Sequence, residues 1–185
     1  MQFTAFSATL FATIAVASPA YSSVNQPNTI YPKELVALVE DSPYTNFFGA
    51  NGYTGHIANE LGKHLIHTVT SFNIDDTQLK CTVSFVISQD ADPENFSFTP
   101  DASFDVWEYT SFSPKEITWK SHTQEIPKSY IGRIFIEPSG ESNELSFQCK
   151  SSSIALLMTP RDNDTVDIEW TEGAQPTLGL IMTQK

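Results

Sequence analysis

The chain has 185 residues, ten lysines and arginines against 22 aspartates and glutamates, and a formal net charge of -12. This balance argues against nucleic acid and against an anionic membrane face as partners, because both are held by lysine and arginine side chains. A hydrophobic content of 40% with only 17% charged residues is typical of a folded domain and not of a disordered chain.

The first residues predict a secretory signal peptide. Residues 1–20 carry no charged side chain, and the apolar run from Phe3 to Val16 is shorter than the roughly 20 apolar residues of a membrane span. Small residues follow this run, so we expect cleavage after Ala17 or Ala20. The alternative is a buried N-terminal strand or helix. Cleavage would leave residues 21–185 as a single secreted, extracellular domain.

The rest of the chain has mainly the patterns of short β-strands. Residues 35–40 fit either one or two helical turns or an edge strand, and residues 41–62 look irregular. Alternating or β-branched runs predict strands at 64–74, 81–88, 103–110, 133–137, 144–149, 154–158, 165–170 and 177–182. Many short strands separated by turn residues predict an all-β fold. We expect a two-sheet antiparallel β-sandwich of jelly-roll type with an irregular or short-helical N-terminal segment.

Both cysteines fall on the apolar face of a predicted strand. Cys81 alternates in phase with Val83 and Phe85, and Cys149 with Phe147. In the oxidising environment of a secreted protein such a pair forms a disulfide by default. We expect the bridge between Cys81 and Cys149 to cross the core from one sheet to the other.

Two glycosylation sequons lie in loop-like, acidic stretches. They are Asn95-Phe96-Ser97 and Asn163-Asp164-Thr165. Because an acceptor asparagine has to be exposed on a secreted protein, both positions suit the modification. The sequence therefore predicts a glycoprotein modified at one or both of these asparagines.

Several short pieces occur in a recognisable order along the mature chain. They are Ile30-Tyr31-Pro32 with Leu35, Glu40, Pro43 and Phe48-Gly49, then Cys81-Thr82-Val83-Ser84-Phe85, Phe147-Gln148-Cys149 and Gly179-Leu180-Ile181. In this order the pieces, over residues 30–183, resemble a family of fungal secreted proteins, the ubiquitin-3-binding-protein C-terminal domain family. The resemblance implies a secreted β-sandwich of unsettled function, with Cys81 and Cys149 as its usual cysteines and no catalytic residue. At Thr118-Trp119-Lys120 the chain departs from an expected Asn-containing loop.

Motifs for metal or nucleophilic catalysis are missing from the sequence. The Gly-x-Ser-x-Gly elbow of serine hydrolases is absent. His64 and His67 are three residues apart, which on a strand puts them on opposite faces and prevents a shared metal. The acidic run at residues 90–95 partly mimics a calcium loop, but Pro93 stands where a glycine turn is needed, so we favour a solvated loop. We predict no metal and no cofactor.

A small glycoside hydrolase remains an alternative. Such an enzyme needs two carboxylates that face each other in a groove. The candidates on predicted strands are Asp105, Glu108, Glu137 and Glu169. Glu108 is the most suggestive because Trp107 and Tyr109 flank it, but alternation places these two rings on the opposite face of the strand.

Carbohydrate binding without catalysis is the function that the aromatic residues favour. Tryptophan and tyrosine rings stack on sugar faces at a small cost in conformational entropy. Trp107, Tyr109 and Trp119 are the chosen candidates, with Tyr44, Tyr53 and Tyr130 as further aromatics that could line a groove. We interpret the chain as a non-enzymatic extracellular or cell-wall-associated protein whose partner is a cell-wall polysaccharide or an extracellular protein. An effector-like protein that acts on a partner protein is the second alternative.

Overall fold

The computed structural model describes most of the chain after the predicted signal peptide. The described residues are 29–48, 54–75, 77, 79–88, 90–109, 113–125, 128–161, 164–172 and 178–185. The predicted signal peptide at residues 1–20, Tyr53 and the second sequon asparagine, Asn163, lie outside these ranges.

Two antiparallel sheets make up the fold of the described residues. Their strands are β1 (Thr29–Ile30), β2 (Glu34–Val39), β3 (Thr54–Asn59), β4 (Ile66–Asn73), β5 (Lys80–Ile87), β6 (Phe96–Phe98), β7 (Ser103–Tyr109), β8 (Lys128–Phe135), β9 (Leu145–Gln148), β10 (Ser153–Thr159), β11 (Val166–Thr171) and β12 (Leu178–Gln184). The small sheet has the order β1-β12-β5-β9. The large sheet has the order β6-β11-β3-β4-β10-β7-β8, and β2 also pairs with β4.

The main core lies between the two sheets. It is built by the side chains that point inward at every second position of each strand. Phe85 of the small sheet contacts Phe104 and Trp170 of the large sheet, with ring centroids 5.8 Å and 5.1 Å apart and the rings nearly perpendicular. All three side chains are almost completely buried. This arrangement confirms the predicted two-sheet antiparallel β-sandwich.

A disulfide joins Cys81 to Cys149, with their Cα atoms 5.4 Å apart. The predicted bridge is therefore confirmed, but its predicted path across the core is wrong. Cys81 lies on β5 opposite Phe147 of β9, and Cys149 follows β9 directly, so the bridge connects neighbouring strands of the small sheet. Alternation identified the face on which each sulfur lies, but it holds no information about which strands become neighbours.

The segment that fitted either a helix or an edge strand is strand β2. It pairs along its whole length with β4, with Val36 opposite Val69. Leu35 packs in the main core, whereas Val36 and Leu38 pack on the other face of the large sheet. Because both faces of β2 are covered, its sequence is apolar at nearly every position and lacks the alternation that would have identified it as a strand.

The one α-helix of the described residues is α1 (Trp119–Glu125), which the sequence analysis did not predict. A reciprocal pair of hydrogen bonds closes its first turn. The Thr118 backbone amide donates to Ser121 Oγ at 2.9 Å, and the Ser121 amide donates to Thr118 Oγ1 at 3.3 Å. This is a capping box with serine in place of glutamate. No helix in the described part of the chain is long and apolar enough to cross a membrane.

A second, smaller apolar cluster covers the outer face of the large sheet. It is formed by the outward-pointing side chains of β2, β4, β7 and β10 together with Ile117, and its members are Val36, Leu38, Val69, Tyr109, Ile117, Ala155 and Leu157. Phe48, Trp107 and Trp119 pack against it. The segment that contains α1 therefore lies on this face and covers part of it. Where the cover ends, the sheet carries an open groove.

Candidate ligand-binding groove

The groove has a volume of about 560 Å³ and lies between α1 and the outer face of the large sheet. Strand β4, strands β7 and β8, the residues after β10 and helix α1 all contribute to it. The side chains that matter below are His67, Trp107, Trp119, His122, Lys128 and Arg161. We call this feature the aromatic groove.

The three aromatic residues predicted to contact a ligand come together here. Trp107 on β7 and Trp119 at the start of α1 both line the aromatic groove and are half-buried. Tyr109 lies on the same face of β7 as Trp107, as alternation predicted, but it is only 3% exposed and packs in the outer cluster. Burial raises the pKa of Tyr109 to about 12. Tyr109 is therefore positioned to support the groove and not to stack on a ligand.

The Trp107 ring is held in place by contacts to three residues. Its indole Nε1 donates to Thr159 Oγ1 at 3.1 Å. The Tyr130 ring lies 4.8 Å from it, centroid to centroid, and the Lys128 ammonium lies 4.9 Å from the centre of the indole. A cation over an indole face is an attractive arrangement. The ring is thus presented to the groove in a fixed orientation.

A β-bulge places Lys128 and Tyr130 on this face. Gly132 is opposite Val106, but the next residue of β7, Trp107, is opposite Tyr130, so Ile131 is an extra residue in β8. Without the extra residue, Ile131 would be opposite Trp107, and Tyr130 and Lys128 would point to the inner face. The bulge instead brings both side chains beside Trp107.

Two histidines link the Trp119 ring to the sheet. The His67 and Trp119 rings are 4.7 Å apart, and His67 Nδ1 lies 3.1 Å from His122 Nε2. Burial lowers the pKa of His67 to about 3, with the charges of His122 and Lys128 adding to the effect. Burial and the charge of Lys128 lower the pKa of His122 to about 4. Both rings are therefore neutral near pH 7, and one donates a hydrogen bond to the other.

Asp105 is the one carboxylate among the described residues that line the aromatic groove. Its two oxygens accept hydrogen bonds from Arg133 Nε and Arg133 Nη2, both at 2.9 Å, and Tyr130 Oη donates to Oδ1 at 3.2 Å. Glu108 lies on the other face of β7, and its side chain is only 18% exposed and pairs with Lys150 at 3.5 Å. Glu108 is thus partly covered, and it does not face Asp105.

The remaining acidic candidates lie elsewhere. Glu169 is on β11 and lines a separate pocket near Asn95, and Glu137 is exposed after β8. Asp92 caps the short 3-10 helix Pro93–Asn95 by accepting a hydrogen bond from the Glu94 amide at 3.0 Å. This cap gives the acidic run a local structural role.

The histidines that were considered as metal ligands are separate in the structure. His64 precedes β4 and contacts Asp41, whereas His67 contacts His122. Over the described ranges, no group of three or more histidine, cysteine, aspartate or glutamate side chains is placed to hold a metal ion.

Four groove residues were not predicted from the sequence, and only one of them had a local signal. They are His67, His122, Lys128 and Arg161. The Thr118 and Ser121 pair is a recognisable cap and could have indicated the helix that carries His122. For Lys128 no local signal exists, because its direction depends on the bulge in β8. His67 and Arg161 enter the groove only through strand pairing.

The chain matches a model of a known protein family. Residues 30–176 match the model described as the ubiquitin 3 binding protein But2 C-terminal domain. The matched residues include strands β2 to β11, and with them every side chain of the aromatic groove named above. None of the curated proteins matches the chain.

Proposed function

The chain belongs to the ubiquitin 3 binding protein But2 C-terminal domain family, and we propose that it is a secreted, non-enzymatic, cell-wall-associated protein that binds polysaccharide in the aromatic groove. The family gives a secreted-type β-sandwich of unsettled function. The ligand class, the location in the cell wall and the absence of catalysis are our proposals.

The convergence of Trp107 and Trp119 on one groove carries the proposal. The two indoles come from different parts of the chain, and each keeps part of its ring accessible at the groove. Indoles at an open surface provide flat faces for sugar rings at a small cost in conformational entropy. A cavity of about 560 Å³ is in the range of small-ligand sites.

Polar groups around the indoles suit a hydroxyl-rich ligand. Thr123 lines the groove from the helix, and Asp105 lines it from β7. Arg133 holds the Asp105 carboxylate in a fixed orientation, so its remaining acceptor capacity is directed and not mobile. Directed hydrogen-bonding groups beside an apolar face give orientation and specificity to a bound sugar.

Retention of the purified protein on insoluble polysaccharide tests the proposal. We expect retention on at least one of chitin, β-glucan and cellulose, and we expect Trp107→Ala and Trp119→Ala to abolish it. Tyr31→Ala is the matched control, because Tyr31 is an aromatic that is 47% exposed beside the small sheet and away from the aromatic groove. Thermal unfolding of each variant establishes that it is folded. Retention that survives both tryptophan changes would contradict the proposal.

Secretion has its own test. The mature protein should begin at Ser18 or Tyr21, and it should carry an N-glycan on Asn95, whose sequon residue Ser97 is exposed on β6. N-terminal sequencing and the mass before and after deglycosylation measure both features. An intact Met1 on the protein recovered from the medium would contradict the signal peptide.

Binding of a protein partner is the second candidate function, in line with the wording of the family description. One observation favours it: Tyr130 and Phe135 are both 54% exposed on β8, an edge strand of the large sheet. Exposed aromatics are enriched where proteins associate. Titration with ubiquitin should then show saturable binding that Phe135→Ala weakens. Absence of any heat or chemical-shift change at high ubiquitin concentration would remove ubiquitin as the partner.

A further inference from the structure

We propose that the aromatic groove selects an acidic polysaccharide, one whose sugars carry carboxylates, in preference to a neutral one. This inference rests on the proposed function and names the class of its ligand. It follows from the charges around the groove, which differ in sign from the charge of the chain as a whole.

The cations of this chain are few, and three of the ten lie at the groove. The whole chain has ten lysines and arginines and a net charge of -12. Its two arginines are Arg133 and Arg161, and both lie here: Arg161 lines the groove, and Arg133 holds the groove carboxylate Asp105. Lys128 lines the groove as well. A concentration of arginine at one place on an acidic surface indicates an anionic ligand.

The ion pairs leave two of these cations without a carboxylate. Arg133 and Asp105 neutralise each other. Lys128 and Arg161 are exposed, and neither forms an ion pair with a carboxylate of the described residues. His67 and His122 are neutral near pH 7 and therefore add no charge. The described side chains thus give the groove a net charge of about two positive units, one from each unpaired cation.

The position of Lys128 couples the charge to the aromatic surface. Its ammonium lies 4.9 Å from the centre of the Trp107 ring, on a strand whose bulge turned it to this face. A sugar ring that contacts the indole would bring a carboxylate on that ring within reach of the same ammonium. Arg161 can bind a carboxylate through two parallel hydrogen bonds, which adds specificity to charge. A neutral glucan would use the indoles and leave both cations unused.

The acidity of the chain makes the test sharp. A net charge of -12 repels a polyanion everywhere except at a local positive site, so unspecific attraction is suppressed. Calorimetric titration of the whole mature protein should use oligogalacturonate as the acidic probe and soluble β-glucan oligosaccharide as the neutral probe. We expect oligogalacturonate to bind at least tenfold more tightly at low salt, and we expect its affinity, but not that of the neutral probe, to fall with added salt.

Charge-neutralising variants locate the site. Lys128→Gln and Arg161→Gln should each weaken oligogalacturonate binding about tenfold, which corresponds to about 1.4 kcal/mol for the loss of one charge-assisted contact. Lys150→Gln is the matched control, because Lys150 is equally cationic but pairs with Glu108 on the other face of β7. Trp107→Ala should weaken both probes, because the indole serves acidic and neutral sugars alike.

The outcomes of these titrations distinguish failure of the charge selection from failure of the proposed function. If the neutral probe binds as tightly as the acidic one and depends on Trp107, the charge selection is wrong and the proposed function stands. If neither probe binds, this inference is wrong, and retention on the insoluble polysaccharides decides the proposed function separately. If Lys150→Gln weakens oligogalacturonate binding as much as Lys128→Gln does, the groove is not the binding site and this inference is overturned. If inorganic phosphate binds with the same dependence on Lys128 and Arg161 but with none on Trp107, the groove recognises a simple anion and not an acidic sugar, which also overturns this inference.

Discussion

The two faces of the large sheet use tryptophan in opposite ways. Trp170 points inward, is 1% exposed and donates its indole N–H to Glu172 Oε2 at 2.9 Å. Trp107 points outward, donates to Thr159 Oγ1 at 3.1 Å and keeps part of its ring at the open groove. Both indoles satisfy their one polar group within the protein. The difference lies in what covers the ring, a second sheet on the inner face and only a partial layer on the outer face.

The close packing of the inner face shows the same contrast. A methyl group added to Gly55 would lie 2.1 Å from Cζ2 of Trp170. The absence of a side chain at Gly55 therefore leaves the space that the indole occupies against the backbone of β3. On the outer face, Trp107 contacts the side chains of Lys128 and Tyr130 beside the open groove, and no second sheet among the described residues covers it. The inner face is therefore closely packed, whereas the outer face leaves part of an indole accessible at the groove.

The largest expected effect separates the two tryptophans. Trp170→Ala should lower the free energy of unfolding by about 3–5 kcal/mol, because it removes a fully buried ring from a close-packed core. Trp107→Ala should lower it by about 1–2 kcal/mol, since part of the ring is already in water. Chemical denaturation of both variants measures the difference. Equal losses would show that Trp107 is a core residue and would remove the main support for the groove.

Opening the disulfide is the next largest change. Replacing Cys81 and Cys149 by alanine should lower the free energy of unfolding by about 2–4 kcal/mol, because a loop of 68 residues is released in the unfolded chain. Both sulfurs are buried in the core that faces the large sheet, so the loss belongs to the inner face. The affinity of the aromatic groove should remain unchanged in the folded variant. A weaker affinity of the folded variant for its ligand would mean that the inner face and the groove on the outer face are not independent.

Another effect, confined to the outer face, depends on pH. The pKa values of His67 and His122 are lowered to about 3 and about 4 from the ordinary value of 6.5. Between pH 6.5 and pH 4 the unfolded chain binds protons that the folded chain excludes, so this contribution to stability is complete above pH 6.5 and is lost as the pH falls. We expect stability to fall progressively as the pH is lowered from 6.5 to 4.

A pair of variants isolates this contribution from that of the carboxylates. Replacing His67 and His122 by glutamine should flatten the dependence of stability on pH relative to the unaltered protein. His64→Gln is the control: the hydrogen bond and charge of Asp41 raise the pKa of His64, so its contribution has the opposite sign and its removal should not flatten the curve. An unchanged slope in the double variant would show that the histidine pair is not buried in its neutral form.

Much of the fold was predictable because strand alternation is a local property. Predicted strands at 81–88 and 103–110 correspond closely to β5 and β7. The shared face of Trp107 and Tyr109, on the side opposite Glu108, follows from the same alternation. The sequence of strand β2 fits either a helix or a strand, since burial on both faces removes the alternation on which the prediction depends.

The candidate site was predictable only in its aromatic part. The sequence predicts Trp107, Tyr109 and Trp119 as rings that contact a ligand. The structure places all three around one groove or directly beneath it. Their partners could not be found in this way. Lys128 is 21 residues from Trp107 in sequence and comes to lie over its ring through strand pairing. The disulfide similarly joins neighbouring strands because β5 pairs with β9.

The sequence by itself determined the family, most of the strands, and the side on which each cysteine, Trp107 and Trp170 lie, because these follow from local order and a period of two residues. The tertiary structure alone decided which strands are neighbours, and one bulge at Ile131 turned Lys128 and Tyr130 toward the indole. A single extra residue reverses the face of every side chain beyond it in the strand, and its placement depends on the partner strand. The charge of the groove is therefore a property of the folded chain.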